Sequence, residues 1–132
     1  MSVETSVMDC ETLLEYELRC SERYRRFLSV VMLKSGKETV DFRNLFGDLV
    51  RDSDVLFELE GKAMVLMSET DQTGAMNAVT RFKTMCNGAL DVRYSVAVFP
   101  ADGRSAGNLM DTGQRRLELA QAQTAGAVVV ED

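Results

Sequence analysis

Arg51 and Asp54, with two residues between them, form the pattern with the clearest chemical potential in this chain. The planar guanidinium of an arginine can grip a phosphate group, or the O6 and N7 edge of guanine, through paired hydrogen bonds. A carboxylate can accept from the ring and amino nitrogens of guanine. The same residue types also serve as turn and capping groups between a helix and a strand. The pattern therefore predicts either a ligand site or an ordinary structural turn.

The overall composition narrows the chemistry further. The 132 residues include no histidine, which excludes triads that use histidine, His-containing zinc sites and imidazole acid–base catalysis. The net charge of −6 argues against nucleic-acid binding, because that binding needs a basic face. Three widely spaced cysteines favour reduced thiols and a cytoplasmic location. No apolar run is long enough to span a bilayer, so membrane insertion is not expected.

The elements that must position these residues follow from hydrophobic spacing. Because there is one proline and no low-complexity tract, we expect a single domain over residues 1–132, with a first helix over 10–27 and an α/β core over 28–132. Further helices are predicted over 39–50, 71–85 and 105–122, and strands over 28–33, 55–59, 63–67, 92–99 and 128–130. Residues 34–37 are predicted to form a turn. The central β-α-β-β-α-β order is typical of a ferredoxin-like α+β fold, with a mainly antiparallel sheet flanked by helices.

Two short apolar runs surround Glu60, Gly61 and Lys62, which predicts a β-hairpin directly after the Arg51 pattern. Five residues separate Asp54 from Glu60. In this arrangement the chain resembles the GGDEF domain of bacterial diguanylate cyclases, in which an Arg-x-x-Asp motif is followed, five residues later, by Gly-Gly-Asp/Glu-Glu-Phe on a hairpin. The second motif is degenerate here and consists of Glu60, Gly61, Lys62, Ala63 and Met64.

Two later segments extend the resemblance over most of the chain. Ser95–Gly103 is similar to a strand and turn of the family, and Leu119–Gly126 parallels the closing segment of its last helix. The resemblance implies the palm-type nucleotidyl-cyclase (GGDEF) fold. This fold has the ferredoxin-like core that the order of elements already predicts.

The departures from the family imply that the active site is lost. In an active cyclase an aspartate at the end of the first core strand holds Mg²⁺, but this chain has Lys34 there. The acidic pair of the second motif is replaced by Lys62 and Ala63. The phosphate-binding lysine and arginine of the closing segment correspond to Gln123 and Ala127. We therefore expect no enzymatic activity, no metal site and no cofactor.

The resemblance also implies a regulatory site. In the family, Arg-x-x-Asp binds the product cyclic di-GMP as an inhibitor, and a further arginine comes from the helix after the hairpin. On this basis the expected ligand-binding residues are Arg51, Asp54 and Arg81, with Asp52 and Arg26 as neighbours. The predicted function is an inactive signalling domain that acts as a cyclic di-GMP receptor.

Two alternatives remain open at this stage. The domain can instead be a ligand-independent interaction or dimerisation module, which docks on another signalling protein or on itself through the exposed side of its first helix. A residual enzyme or GTP-binding regulatory domain is the third reading, and the loss of the metal ligands argues against it.

Overall fold

The computed structural model describes residues 3–4, 7–36, 39–59 and 61–132. The strands are β1 (Val3–Glu4), β2 (Leu28–Ser35), β3 (Val55–Leu59), β4 (Lys62–Ser68), β5 (Val92–Phe99) and β6 (Val128–Val129). The helices are α1 (Val7–Tyr24), α2 (Phe42–Phe46), α3 (Gln72–Cys86) and α4 (Ala106–Gln121), with a short 3₁₀ helix (Gly47–Leu49) after α2.

The strands form one six-stranded sheet in the order β1-β3-β4-β2-β5-β6. The inner neighbours β3/β4, β4/β2 and β2/β5 are antiparallel, whereas β1 and β6 pair in parallel with β3 and β5 at the two edges. The inner order β3-β4-β2-β5 is that of the ferredoxin-like unit. The predicted α+β fold with a mainly antiparallel sheet is therefore confirmed. Strand β1 was not predicted, because two residues carry no readable alternation.

Helices cover both faces of the sheet, because side chains alternate between the two faces along each strand. One face of β2 and β5 packs against α2 and α3 around Phe46 and Phe82. The other face packs against α1 and α4 around Leu14 and Leu109. The central strands are buried on both sides, which explains their nearly continuous apolar sequences.

Helix α1 ends earlier than residue 27, the predicted boundary. Arg25 adopts a left-handed conformation with φ of 56°, and the Arg26 amide donates to the Ser21 carbonyl at 2.8 Å. This bond closes the last turn in the way that usually requires glycine at the left-handed position. Arginine at that position carried no stop signal, so the helix was predicted to continue to Phe27.

The region between β2 and β3 also differs from its prediction. The helix predicted over 39–50 is only the five-residue α2 followed by the 3₁₀ helix, because Asp41 caps α2 by accepting from the Asn44 amide. Strand β2 runs two residues further than predicted, so Lys34 and Ser35 are paired strand residues and not part of a turn. The neighbouring residues 37–38 lie outside the described residues.

Among the described residues, no helix combines the length and the apolar character that crossing a bilayer requires.

Candidate functional site

Arg51 and Asp54 contact each other directly at the start of β3. The Asp54 amide donates to the Arg51 carbonyl at 2.9 Å, and the Asp54 carboxylate accepts from the Arg51 amide at 3.0 Å. The same carboxylate accepts from Arg51 Nη2 at 3.0 Å. The Asp54 side chain is only 1% exposed, whereas that of Arg51 is 52% exposed. The motif is thus a closed turn whose buried carboxylate orients a half-exposed guanidinium.

The Arg51 guanidinium also binds the corner between β4 and α3. Its Nη2 donates to the Ser68 carbonyl at 3.0 Å and to Thr70 Oγ1 at 2.6 Å. Nothing in the sequence pattern pointed to Ser68 or Thr70, because both contacts depend on the hairpin bringing the end of β4 back beside residue 51. Arg51 Nη1 has no acceptor within the described ranges, and 52% of the Arg51 side chain is exposed.

Arg26 reaches the same corner from the other side. Its Nη1 donates to Glu69 Oε2 at 2.9 Å, and its guanidinium lies over the Tyr24 ring, 5.2 Å from the ring centroid. Glu69 stands between the two residues that Arg51 contacts. The β4–α3 corner therefore separates Arg26 from Arg51.

Arg81 and Asp52 lie near the motif without joining its hydrogen bonds. Arg81 Nη2 donates to the Leu49 carbonyl at 3.3 Å, so α3 is tied to the 3₁₀ helix that precedes Arg51. Asp52 is exposed in the turn and makes no hydrogen bond to any described residue. Arg81 lines an open groove of about 730 Å³ together with Thr80, Thr84 and Met85, and Arg51 does not line that groove. Arg81 and Arg51 thus flank one segment but share no acceptor.

The degenerate second motif forms the predicted hairpin. Leu59 pairs with Lys62, and Gly61 has the positive φ of 74° that a tight hairpin turn favours. Glu60 lies outside the described residues. Ala63 and Met64 are fully buried, one on each face of the sheet. Neither of them can face a ligand in solution.

Lys62 faces Lys34 directly across the β2–β4 pair, and Arg93 faces Lys34 from β5 on the other side. Lys62 Nζ donates to Gln114 on α4. Burial, and then the charge of Lys34, lower the pKa of Lys62. Lys34 and Lys62 thus oppose each other at two positions where the resemblance implies metal ligands. Together with Arg93 they form a row of three cations across the sheet.

Arg93 caps the last helix and was not recognised in the sequence. Its guanidinium pairs with Asp91 at 2.7 Å and donates to the Gln121 and Gln123 carbonyls at 2.9 and 2.7 Å. A cation at these carbonyls satisfies the end of α4 and its dipole. The alternation over residues 92–99 placed Arg93 in a strand, but its helix partners are about 30 residues away in sequence.

A second arginine–aspartate contact, also missed in the sequence, lies in the interior. Arg116 donates to the Val96 carbonyl at 2.8 Å, to Asp102 Oδ1 at 3.0 Å and to Asp132 Oδ1 at 2.6 Å. Asp102 in turn accepts from the Val98 amide at 2.8 Å. Arg116 is buried among helix and strand residues and therefore holds α4, the turn after β5 and the C-terminal residue together.

Within the described part of the chain, no group of three or more cysteine, aspartate or glutamate side chains is placed to hold a metal ion.

No protein-family profile matches this chain, and no curated protein matches it in sequence. Solved structures do match it in shape. The GGDEF domain of TpbB (YfiN) from Pseudomonas aeruginosa superposes with a TM-score of 0.84 at 15% identity, covering 97% of this chain and 90% of that one. The active GGEEF domain of a diguanylate cyclase from Vibrio cholerae superposes with a TM-score of 0.82 at 8% identity and covers 97% of both chains.

A third match includes a bound nucleotide. The coiled coil and GGDEF domain of DgcB from Caulobacter crescentus, in complex with cyclic di-GMP, superposes with a TM-score of 0.81 at 9% identity and covers 99% of this chain and 82% of that one. All three identities are too low to transfer an activity, but the agreement extends over nearly the whole of this chain. The chain therefore has the fold of a GGDEF domain.

Proposed function

We propose that this chain is a catalytically inactive GGDEF-like signalling domain that binds cyclic di-GMP at Arg51. The observation that carries the proposal is the arginine itself, which is half exposed and oriented by a buried aspartate. An exposed arginine held in one rotamer binds a planar acceptor at less entropic cost than a free one. Cyclic di-GMP supplies two groups that an arginine recognises, the planar guanine edge and the phosphate oxygens.

The direction of Arg51 defines how the ligand would bind. Nη2 is occupied by the corner residues, so the ligand must use Nη1 and the outer face of the guanidinium. Asp54 is too deeply buried to accept directly from guanine, although the family resemblance implies that role. In this chain we assign Asp54 to positioning Arg51, and the exposed Asp52 is the carboxylate available to a guanine. Arg81, on the neighbouring helix, supplies a second cation.

The loss of catalysis is supported by the row of Lys34, Lys62 and Arg93. Mg²⁺ requires hard oxygen ligands, and two ammonium groups at opposed positions repel it. A metal-free site provides neither a cation to neutralise the triphosphate nor a means to activate the attacking hydroxyl.

Calorimetry with cyclic di-GMP tests the binding proposal. Arg51→Lys keeps a positive charge beside Asp54 but removes Nη1 and the flat face of the guanidinium, so micromolar binding by the wild type should be lost in this variant. Arg104→Lys is the matched control, because Arg104 is an exposed arginine distant in sequence from the motif. Equal binding by wild type and Arg51→Lys, or no heat with wild type at high micromolar ligand, would refute the site.

A turnover assay tests inactivity separately. The protein incubated with GTP and Mg²⁺ should form no cyclic di-GMP above the level of a boiled sample. Measurable Mg²⁺-dependent product would show that catalysis survives without the expected ligands.

One observation favours a second function, a ligand-independent interaction module. Helix α1 has an exposed side with large aromatic residues, since Tyr16 and Tyr24 are 54% and 58% exposed. Aromatic residues are enriched in protein interfaces. A partner that binds α1 regardless of nucleotide would support this function.

A further inference from the structure

We infer that a cavity at the C-terminal end of α3 binds a small organic acid, one that has an apolar body and a carbonyl or hydroxyl oxygen remote from its carboxylate. The cavity has a volume of about 350 Å³ and lies between α3, the start of β5 and the turn before β6. Cavities that bind small molecules commonly measure about 300–1,000 Å³. The inference goes beyond the proposed signalling function and does not depend on cyclic di-GMP binding.

Two fixed turns form the sides of the cavity. Helix α3 ends at Asn87, which has a left-handed conformation with φ of 48°, and Gly88 follows with φ of 76°. On the other side, the Gly126 amide donates to the Val92 carbonyl at 3.1 Å, and Gly126 has φ of 81°. Because glycine adopts such angles without steric cost, both turns are well suited to their positions. The cavity is therefore part of the built fold.

Tyr94 places a buried hydroxyl at the wall of the cavity. It lines the cavity together with Cys86, and the two residues are only 1% and 6% exposed. Within the described part of the chain, the one hydrogen-bond partner of the Tyr94 hydroxyl is Cys86 Sγ, at 3.7 Å. Sulfur is a weak partner, and a buried tyrosine hydroxyl usually finds a better one. Burial raises the pKa of Tyr94, so the hydroxyl keeps its proton and remains a donor.

Lys83 supplies a positive charge at the mouth of the cavity. A Cβ added to Gly126 would lie 3.7 Å from Lys83 Cε, so the lysine side chain extends from α3 towards the turn before β6. Among the described residues, no ion pair includes Lys83. The acidic residue of the lining, Asp91, already binds Arg93 at 2.7 and 3.0 Å. The charge available to a ligand is therefore positive, which favours an anion.

The remaining lining is apolar and defines the body of the ligand. It consists of Ala89, Leu90, Val92 and Ala125. A ligand that satisfies the whole cavity places a carboxylate at the lysine, an apolar body along these residues and an acceptor oxygen at the Tyr94 hydroxyl. Inorganic phosphate would satisfy only the lysine, since it has no apolar body.

Three matched probes test this order of groups. Para-acetylbenzoate has the carboxylate, the ring and the acceptor oxygen, whereas benzoate lacks the acceptor and acetophenone lacks the carboxylate. In amide NMR titrations of the full chain, para-acetylbenzoate should bind with a Kd on the order of 1 mM, as expected for a ligand of its size. The Gly88, Leu90 and Gly126 signals should shift, and the Gly61 signal in the hairpin should not. If no probe shifts these three signals at millimolar concentration, the cavity is not such a site.

Two substitutions separate the roles of the hydroxyl and the ammonium group. Tyr94→Phe should weaken para-acetylbenzoate binding about fivefold, through the loss of one hydrogen bond, and leave benzoate binding unchanged. Lys83→Gln should weaken both acids about threefold and leave acetophenone binding unchanged. Arg104→Gln is the matched control for the lysine, because Arg104 is exposed and does not line this cavity. Equal binding of para-acetylbenzoate by wild type and Tyr94→Phe would overturn the assignment of the acceptor oxygen.

The fold of Tyr94→Phe is checked by its thermal unfolding midpoint without ligand. The variant keeps the ring that packs in the core and loses only a hydroxyl with a weak partner, so the midpoint should stay close to that of wild type. A reduced affinity for para-acetylbenzoate with an unchanged midpoint therefore reports the loss of the contact with the ligand. If the midpoint falls sharply, the hydroxyl is a structural group and its assignment to a ligand is wrong.

The same variants distinguish this inference from the cyclic di-GMP proposal. Strand β2 pairs with Ser68, beside Arg51, at its start and with Val92, beside the cavity, at its end. The two sites are therefore roughly 20 Å apart along the strand, at about 3.3 Å per residue. Arg51→Lys should bind para-acetylbenzoate as the wild type does, and Tyr94→Phe should bind cyclic di-GMP as the wild type does. Failure of one proposal leaves the other intact.

Discussion

Arg51 and Arg116 each hold an aspartate, but they do so in opposite surroundings. Arg116 is 7% exposed, and each of its three guanidinium nitrogens donates to a described acceptor. Arg51 is 52% exposed and leaves Nη1 without a described acceptor. An arginine–aspartate contact is therefore structural when the arginine is buried and all of its guanidinium nitrogens donate hydrogen bonds within the chain. It remains available to a ligand when one edge of the guanidinium faces water.

The largest effect is expected from Arg116→Ala. It leaves the Asp102 carboxylate without its cationic partner and the Val96 carbonyl without the Arg116 donor. Breaking a buried charge pair in this way costs about 3–5 kcal/mol of the free energy of unfolding. Urea denaturation of the full chain measures the loss. Arg115→Ala is the matched control, because Arg115 also contacts Asp132 but is exposed, and it should cost less than about 1 kcal/mol. Equal losses in both variants would show that burial does not make the Arg116 contacts stronger than the Arg115 contact.

Arg51→Ala should destabilise the fold by an intermediate amount. Removing the Arg51 side chain leaves the Asp54 carboxylate with fewer donors. Hydrogen bonds to charged groups contribute about 1.5–3 kcal/mol to the free energy of unfolding. Half of the side chain is in water, so the loss should stay below that of Arg116→Ala. Arg51→Lys should recover part of it. If Arg51→Ala leaves the free energy of unfolding unchanged in the same experiment, the Arg51–Asp54 contact does not stabilise the fold.

A smaller change, this time a gain in the free energy of unfolding, is expected at the row of Lys34, Lys62 and Arg93. Lys34→Glu replaces a like-charged pair by an opposite pair with Lys62, and directly opposed charges across strands contribute about 0.2–1 kcal/mol. The free energy of unfolding should therefore rise, and Lys34→Gln should give a smaller rise. A loss of stability in Lys34→Glu would show that the two lysines do not repel each other.

The smallest effect is a pH dependence. Because burial and Lys34 lower the pKa of Lys62, the folded state binds fewer protons than the unfolded state, whose lysines have a pKa of about 10.4. The free energy of unfolding should accordingly rise as the pH increases from the lowered pKa of Lys62 to the pKa of lysine in the unfolded state. Lys62→Met should show a shallower rise than wild type in denaturation curves recorded at alkaline pH. Identical slopes would contradict the burial of Lys62.

Three features could be read from the amino-acid sequence: the order of the elements, the hairpin after Arg51 and the replacement of acidic residues by Lys34, Lys62 and Ala63. These features are local, because hydrophobic period, turn residues and residue identity can all be read within a short window. The predicted end of α1 was wrong since arginine occupies a position that glycine normally marks. The predicted length of the helix after β2 was wrong because Asp41 caps α2 two residues after the predicted start, and a 3₁₀ helix replaces its last turn.

The contacts that those residues make could not be read from the sequence and follow from the folded chain. The position of the Arg51 guanidinium depends on the corner at Ser68 and Thr70. Lys34 meets Lys62 only because β2 extends far enough to pair with the hairpin. The Arg116 contacts join segments 14 to 20 residues apart. Such contacts depend on strand register and helix packing, which bring residues together that are distant in sequence. They cannot be recognised from the local pattern of residues.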